Sequence, residues 1–478
     1  MYELSKKLIE KLKKKRINYC HWKSNILLNE ALGGYDDLDL LVARREMSKF
    51  EISLLELGFM EASNVNISFS GIKHFYGFDK KSGNILHLHI YYVIKTGPSW
   101  IKSMRFDMEA YILNNLTIHE SGMPIPQKHI ELVIFIFRIM LKYSKINEFI
   151  LVNREYLRTL QEIEYLCEEL DEDKLENFLA LYFENISKDE FFKYIQIIKS
   201  PSALTKYLKG KNLKSKLKKY NFLNLGQEIF HTLNQFTYRV LNKLFFKQKK
   251  RFVGGGTLIV IAGLDATGKS TITEELKRWL GKNSTLLLVH FGKPPSTLLT
   301  APFNFLIKLA RKKSTTSHLK SSIKNQEGEK SIFYMIRQVI LAYDRYSLAK
   351  KCQNKMNAGE IVICDRYKSE NFNVMDSKRL INKNYNGFKK KLVEFENKLY
   401  DDMPQPDILF YLTVPVEVAV KRNEKRIKKG KESEEFIKIR HDENQNLSYR
   451  AKIQHTIDTN REYGIVIDEI KSKIWGVI

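Results

Sequence analysis

Three groups of residues have types and spacings suited to chemistry. The first is Gly263-Leu264-Asp265-Ala266-Thr267-Gly268-Lys269-Ser270-Thr271. Its glycines let the backbone curl so that several N–H groups face one point. A helix beginning there adds partial positive charge, and the lysine and hydroxyl complete a cradle for phosphates and Mg²⁺. The second is Asp365-Arg366-Tyr367, at the end of the apolar run Ile361–Cys364. A carboxylate there can order a magnesium shell, and a guanidinium can meet a phosphate with two parallel hydrogen bonds. The third is Asp37 and Asp39, which share one face if they lie on a strand. Two such carboxylates repel unless a cation intervenes, and hard oxygen ligands suit Mg²⁺; the alternative is a pair of solvated turn carboxylates. His87 and His89 likewise share a face, as metal ligands or as packing.

The elements that must hold these residues follow from apolar patterning. Thr257–Ala262 is a β-branched run that fits a buried strand, and Thr271–Leu280 has helical spacing, so the glycine loop sits between strand and helix. Gly359–Tyr367 fits a second buried strand. Leu38–Val42 is a short strand, and Ile85–Ile94 is another, entered through the turn signal Lys80-Lys81-Ser82-Gly83. From Pro126 to Lys199 the spacing is helical. The most apolar stretch, Leu132–Leu141, is too short to span a bilayer and carries Arg138. Near the start, Leu4, Leu8, Ile9 and Leu12 alternate with lysines as in an amphipathic helix rather than a signal peptide.

The 478 residues suggest two to four domains. With 43% hydrophobic and 12% aromatic residues, wholesale disorder is excluded. A net charge of +25 points to polyanions. Residues 206–251 hold thirteen Lys or Arg against one acid, Glu228, a net +12. Aromatics interleave there with leucines at helical spacing, which predicts inward packing. Gly254-Gly255-Gly256 then breaks the chain, so a domain boundary is expected near 250. Cys20, Cys167, Cys352 and Cys364 form neither CxxC nor a zinc spacing. Reduced thiols and a cytoplasmic location are the expectation.

The C-terminal half resembles thymidylate kinase, among the nucleoside monophosphate kinases. Gly263–Thr271 is similar to the family's phosphate loop, including its internal acid Asp265. Leu341-Ala342-Tyr343-Asp344-Arg345 is similar to its acceptor-base helix, and Gly359–Tyr367 to its Asp-Arg-Tyr strand. Pro406-Asp407 with Leu409–Pro415 resembles its next strand, and Arg422 to Glu434 falls at its mobile lid. The resemblance covers about Thr257 to Ile478. It implies a P-loop α/β/α fold with a parallel sheet, ATP and Mg²⁺ as donor, and a nucleoside monophosphate as acceptor. Carried over, Gly263, Asp265, Ala266, Thr267, Gly268, Lys269, Ser270 and Thr271 bind ATP. Ser270 and Asp365 hold the metal. Asp265, Lys293, Arg345 and Arg366 meet the acceptor, and Lys269, Asp365, Arg366, Arg422 and Arg426 are catalytic. The lid stretch also contains Lys425, Lys428, Lys429 and Lys431, which read equally as a solvated helix face. Departures cluster on the acceptor side. Leu341 replaces a stacking aromatic, Lys293 replaces an arginine, and Lys368–Asn373 lacks the usual Ala-Tyr-Gln run.

The N-terminal half resembles the nucleotidyltransferase superfamily typified by DNA polymerase beta. Twelve residues separate Ser24, in His21-Trp22-Lys23-Ser24-Asn25, from Asp37-Leu38-Asp39. The resemblance spans roughly residues 15–145 and implies an α+β fold whose Asp37 and Asp39 hold metals on a nucleoside triphosphate. Ser24 is then the surviving turn residue, and Lys23 takes a glycine's place. The third family carboxylate is expected on Ile85–Ile90, which offers His87 and His89 instead. Arg138 and Lys142 either face a triphosphate or are solvated.

The chain is therefore expected to be multi-domain α/β. A nucleotidyltransferase-like domain covers 1–125, a helical bundle and basic connector 126–250, and a thymidylate kinase-like domain 251–478. Three readings stand. The first is a bifunctional enzyme. The second is a kinase with a degenerate, regulatory nucleotide-binding module. The third is a nucleic-acid-binding ATPase switch, in which 206–251 meets nucleic acid or another anionic surface. Partners are nucleotides in the first two. Kinases of the family often dimerise, and no interface signature marks this sequence.

Overall fold

A computed structural model describes residues 1–64, 66–145, 148–149, 154–305, 331–374, 376–381, 385–425, 433–444 and 447–478. The chain divides into two compact units, Met1–Lys250 and Arg251–Ile478.

In the first unit, α1 (Glu3–Lys14) buries Leu4, Leu8, Ile9 and Leu12 on one face and carries Lys11, Lys13 and Lys14 in its last turn, where they suit the helix dipole. Five strands follow: β1 (Tyr19–His21), β2 (Leu38–Val42), β3 (Met60–Ser63), β4 (Ile72–Asp79) and β5 (Asn84–Tyr91). They are ordered β1-β2-β5-β4-β3. β2 and β5 run parallel, with Asp39 opposite His89, and the other pairs are antiparallel. The expected strand Ile85–Ile94 ends earlier, at Tyr91, and Ile94 opens a separate short strand.

Period-2 alternation gives the sheet two unlike faces. Leu38, Leu40, Val42, Leu86, Leu88 and Ile90 share a core with α1. The opposite face presents Asp37, Asp39, His87 and His89, and beyond them Leu41 and Tyr91 enter a second core with α2 (Lys128–Tyr143). α2 is buried on almost every side, as a helix apolar all round must be. Where the helix Ala203–Lys216 crosses it, a Cβ on Gly210 would lie 2.6 Å from the Met140 carbonyl oxygen, so only glycine allows the approach.

α3 (Leu225–Leu241) begins with a capping box between Asn224 and Gln227. Leucine spacing predicts that its apolar side packs inward, but Ile229, Phe230 and Leu233 are exposed and Glu228 is its buried residue.

The second unit holds a five-stranded parallel sheet. Its elements are β6 (Leu258–Gly263), α4 (Lys269–Gly281), β7 (Leu286–His290), α5 (Ile332–Asn357), β8 (Ile361–Asp365), β9 (Ile408–Thr413), α6 (Val416–Glu424), α7 (Glu434–Glu443) and β10 (Ile453–Asp458). The strand order is β7-β8-β6-β9-β10. Every residue of β6 is buried, as a central parallel strand covered on both faces requires. The chain winds to opposite sides of β6, and a crevice at the carboxyl ends of β6 and its neighbours is where such sheets take ligands.

Candidate functional site

The loop between β6 and α4 is built on backbone freedom. Gly263 and Gly268 adopt φ of 144° and 92°. A Cβ on Gly263 would lie 2.5 Å from the Leu412 carbonyl oxygen of β9. Ala266 takes φ of 60° with a side chain attached, which costs about 1 kcal/mol. Thr267 Oγ1 donates to the Leu264 carbonyl at 2.9 Å, and Lys269 Nζ donates to that same carbonyl. Lys269 is buried at the start of α4, while Ser270 and Thr271 stand exposed in its first turn. A helix N-terminus and a buried ammonium side by side are the groups that phosphate oxygens require.

Asp265 ties this loop to two other elements. Its Oδ1 pairs with Arg366 Nη2 at 3.1 Å and its Oδ2 with Arg440 Nη1 at 2.6 Å. His441 Nε2 lies 3.2 Å from its carbonyl oxygen. Burial opposes the carboxylate charge, but Arg440 and Arg366 outweigh it and hold Asp265 below the usual carboxylate range. Arg366 follows β8 with φ of 73° and also lies 3.6 Å from Asp376 Oδ2. Burial would lower its value, yet Asp376, Asp265 and Asp365 raise it. Gly292 backs onto this arginine: a Cβ there would sit 2.9 Å from Arg366 Cδ.

Asp365 ends β8. One oxygen pairs with His290 Nδ1 at 3.1 Å. The other, Oδ1, is buried and has no hydrogen-bond partner among the described residues. An orphaned carboxylate oxygen beside a phosphate loop fits a magnesium shell, with the Ser270 hydroxyl as the second protein group.

The remaining expected residues have varied surroundings. Arg345 is buried and bonds Tyr400 Oη at 2.6 Å and Asp376 Oδ1 at 2.7 Å. Its neighbour Asp344 anchors the segment after β7 through Thr297 N, Thr300 Oγ1 and Asn304 Nδ2. Lys293 is exposed. Arg422, on α6, bonds Thr459 Oγ1 at 3.1 Å and the Thr459 carbonyl at 2.6 Å, past the end of β10. Arg426, Lys428, Lys429 and Lys431 lie outside the described residues, and Lys425 is exposed.

Two residues of the constellation escaped sequence reasoning: Arg440 and Asp376. Arg440 had a readable signal. Ser433 caps α7 through Phe436 N, acids fill the first turn, and Arg440 and His441 then come one after the other in the last. Asp376 lies in a segment without periodicity, so only the fold reveals it.

In the N-terminal unit, the β2–β5 register brings Asp37, Asp39, His87 and His89 together. Asp37 Oδ1 pairs with His87 Nδ1 at 2.5 Å, and Asp39 Oδ1 with His89 Nδ1 at 3.0 Å and Lys23 Nζ at 2.8 Å. His74 adds a third ring, its Nδ1 3.1 Å from His87 Nε2. Burial opposes the charge of both aspartates, but Lys23 and His89 hold Asp39, and His87 holds Asp37, below the usual range. Burial brings His89 down to about 4, against the pull of Asp39. Ser24 has φ of 57° and hydrogen-bonds Glu162. The aspartates' charges are thus met by protein cations and imidazoles. Among the described residues no group of three or more His, Cys, Asp or Glu is arranged to hold a metal.

Beside them is a cluster of cations on an aromatic pair. The Trp22 and Tyr91 rings meet edge-on at 4.9 Å. Lys23 Nζ lies 5.5 Å from the first and 5.3 Å from the second, Arg138 5.7 Å from Trp22, and Lys102 5.2 Å from Tyr91. Burial, then the charge of Lys23, lowers Lys102 to about 7; burial and Arg138 lower Lys142 to about 8.

Comparison with known proteins bears on the C-terminal unit. The sequence model of the thymidylate kinase family matches residues 261–470. A thymidylate kinase of Prochlorococcus marinus is 28% identical over 226 residues, covering 46% of this chain and 92% of that protein. Among solved structures, a thymidylate kinase from Candida albicans is 21% identical with a TM-score of 0.26, covering 47% of this chain and 91% of that one. That of Ehrlichia chaffeensis is 21% identical with a TM-score of 0.23, covering 47% and 98%. With its family match spanning the phosphate loop from Ile261, the C-terminal half of the chain is a thymidylate kinase domain, one of the nucleoside monophosphate kinases.

Proposed function

We propose that the C-terminal domain transfers the γ-phosphoryl group of ATP to a nucleoside monophosphate or a closely similar phosphate-bearing acceptor. The observation that carries this is the convergence on Asp265 of Arg366 and Arg440, within the loop that also holds Lys269. Phosphoryl transfer needs little covalent help from protein; it needs cations over donor and acceptor and a fixed line between them. Lys269 and the loop N–H groups take the donor phosphates. Arg366 grips the acceptor phosphate, and Arg440 neutralises charge as the group moves. Ser270 and Asp365 would hold Mg²⁺, which when bound neutralises the donor phosphates. Leu341, Lys293 and the Lys368–Asn373 segment favour an acceptor other than thymidylate. The test is ADP release measured against a panel of nucleoside monophosphates and sugar phosphates. Acceptor-dependent release, lost in Lys269→Ala, is expected; hydrolysis indifferent to every acceptor counts against the reading.

For the N-terminal unit, with 1–125 as its core domain and 126–250 as helical bundle and connector, we infer nucleotide binding. Lys102, Arg138 and Lys142 support this: none has a carboxylate ion pair among the described residues. Mutually repelling cations held from water favour an anion between them. Regulation or nucleotidyl transfer then separates by experiment. Label passing from an α-labelled nucleoside triphosphate to an acceptor, and lost when Asp37 and Asp39 become Asn, marks an enzyme. Binding without transfer marks a sensor. ATP-dependent chemistry of either kind belongs with a cytoplasmic location.

A further inference from the structure

α3 is amphipathic with its sides reversed. The residues turned toward the body are Glu228, Thr232, Gln235, Tyr238 and Arg239, and each carries a polar group; Tyr238 Oη donates to Asn64 Oδ1 at 3.4 Å. Glu228 is 3% exposed and receives Lys214 Nζ at 2.7 Å and Ser103 Oγ at 3.0 Å. Gln235 Nε2 donates to the Asn66 carbonyl at 2.8 Å, and the Arg239 guanidinium lies 5.3 Å from the Trp100 ring. The solvent side is apolar: Ile229, Phe230 and Leu233 are 52%, 66% and 61% exposed. The face continues past the helix end, where Leu244 and Phe245 are 63% and 70% exposed.

Single exposed apolar residues are ordinary, but a contiguous stripe of this kind marks an interaction surface. Charge selects its partner. Residues 206–251 carry net +12. Lys243 and Lys247, in the turn beside Leu244 and Phe245, are exposed, as are Lys209, Lys211 and Lys218 on and after the preceding helix, while Lys219 pairs with Glu184. A second copy of the chain would bring the same charge to the same face and be repelled. Nucleic acid would answer the lysines and stack on Phe230 and Phe245, but it would leave the aliphatic Ile229, Leu233 and Leu244 without an apolar partner. A bilayer with acidic headgroups offers both an apolar layer and negative charge around it.

We propose that α3 and the turn that follows it dock this protein on an anionic lipid surface. The apolar stripe lies at the headgroup–acyl boundary and the lysines lie on the phosphates. No helix of the described chain is long and apolar enough to cross a membrane, so the contact is interfacial.

The experiment is flotation of the full chain with vesicles of phosphatidylglycerol and phosphatidylcholine, against vesicles of phosphatidylcholine alone. The mixed vesicles are expected to carry the protein and the neutral ones to leave it behind, with binding falling as salt is raised. Phe230→Ser with Leu233→Ser lowers the bound fraction at least about tenfold. Lys243→Glu with Lys247→Glu does the same on the acidic vesicles. Both pairs leave the circular-dichroism melt and phosphoryl transfer unchanged, because these side chains face outward. Failure to float, or equal flotation of wild type and both variants, overturns the proposal. So does a serine pair that converts an oligomer to a monomer without affecting lipid binding, since the stripe is then a protein interface.

Discussion

Asp265 is one carboxylate holding two guanidinium groups, and the two arginines should separate in kinetics. Arg366→Lys keeps the charge and loses the planar fork, so the acceptor KM is expected to rise roughly tenfold with a smaller change in kcat. Arg440→Met should instead lower kcat by roughly a hundredfold or more, as removal of a transition-state cation does. Steady-state rates with the acceptor varied check both. Lys102 makes a pH prediction. Its folded value of about 7 lies below its ordinary 10.5. Between those limits the unfolded chain binds more protons, so stability rises as pH increases through the window and is lowest below it. Thermal melts should show Tm of the N-terminal unit climbing from pH 7 toward 9, and Lys102→Met should raise Tm at pH 7 and flatten that climb. At this scale Lys269, Asp365 and Arg366 were legible because each ends or follows a strand whose apolar run is plain. Asp376 was not, because it lies in a segment without periodicity and one of its partners, Arg345, comes from a helix thirty-one residues earlier.

Elements decide whether those side chains arrive in place. The Gly263 turn brings β6 against β9, and Gly263→Ala would put a Cβ on the Leu412 carbonyl at a φ that side chains rarely adopt. About 3 kcal/mol or more of domain stability should be lost, read as a lower denaturation midpoint. Ser433 caps the helix that delivers Arg440. Ser433→Ala should cost about 1 kcal/mol and lower kcat more than either KM. β2 was legible to the residue, since Leu38–Val42 is short, apolar and begun by acids. The β4–β5 turn was legible through Gly83, which has φ of 70°. The direction of α3 was not. Leucines at helical spacing define an amphipathic helix, but they do not say which side meets the body, and here Glu228 and its partners took the inner side.

At the scale of the molecule, the chain divides into two compact units, and the thymidylate kinase match falls in the second. Asn substitution of both Asp37 and Asp39 should abolish any nucleotidyl transfer while leaving phosphoryl transfer within about twofold. The two sites lie in separate compact units and are built from different residues, which is the reason, and parallel assays on one preparation check it. By itself the sequence determined the phosphate loop, the parallel-strand context around it, the Asp37–Asp39 dyad and the excess charge of 206–251. Each depends on neighbours within about ten residues, where periodicity and turn chemistry act. Only the tertiary structure decided that Arg440 and Arg366 share Asp265, that Lys23 pairs with Asp39 while the His89 ring hydrogen-bonds it, and that three further cations gather near it on Trp22, Tyr91 and α2. Those are contacts between residues tens to hundreds of positions apart, fixed by strand register and helix packing. The basic segment was visible as charge alone; folding made it a surface, by turning its polar side inward and leaving its apolar side out.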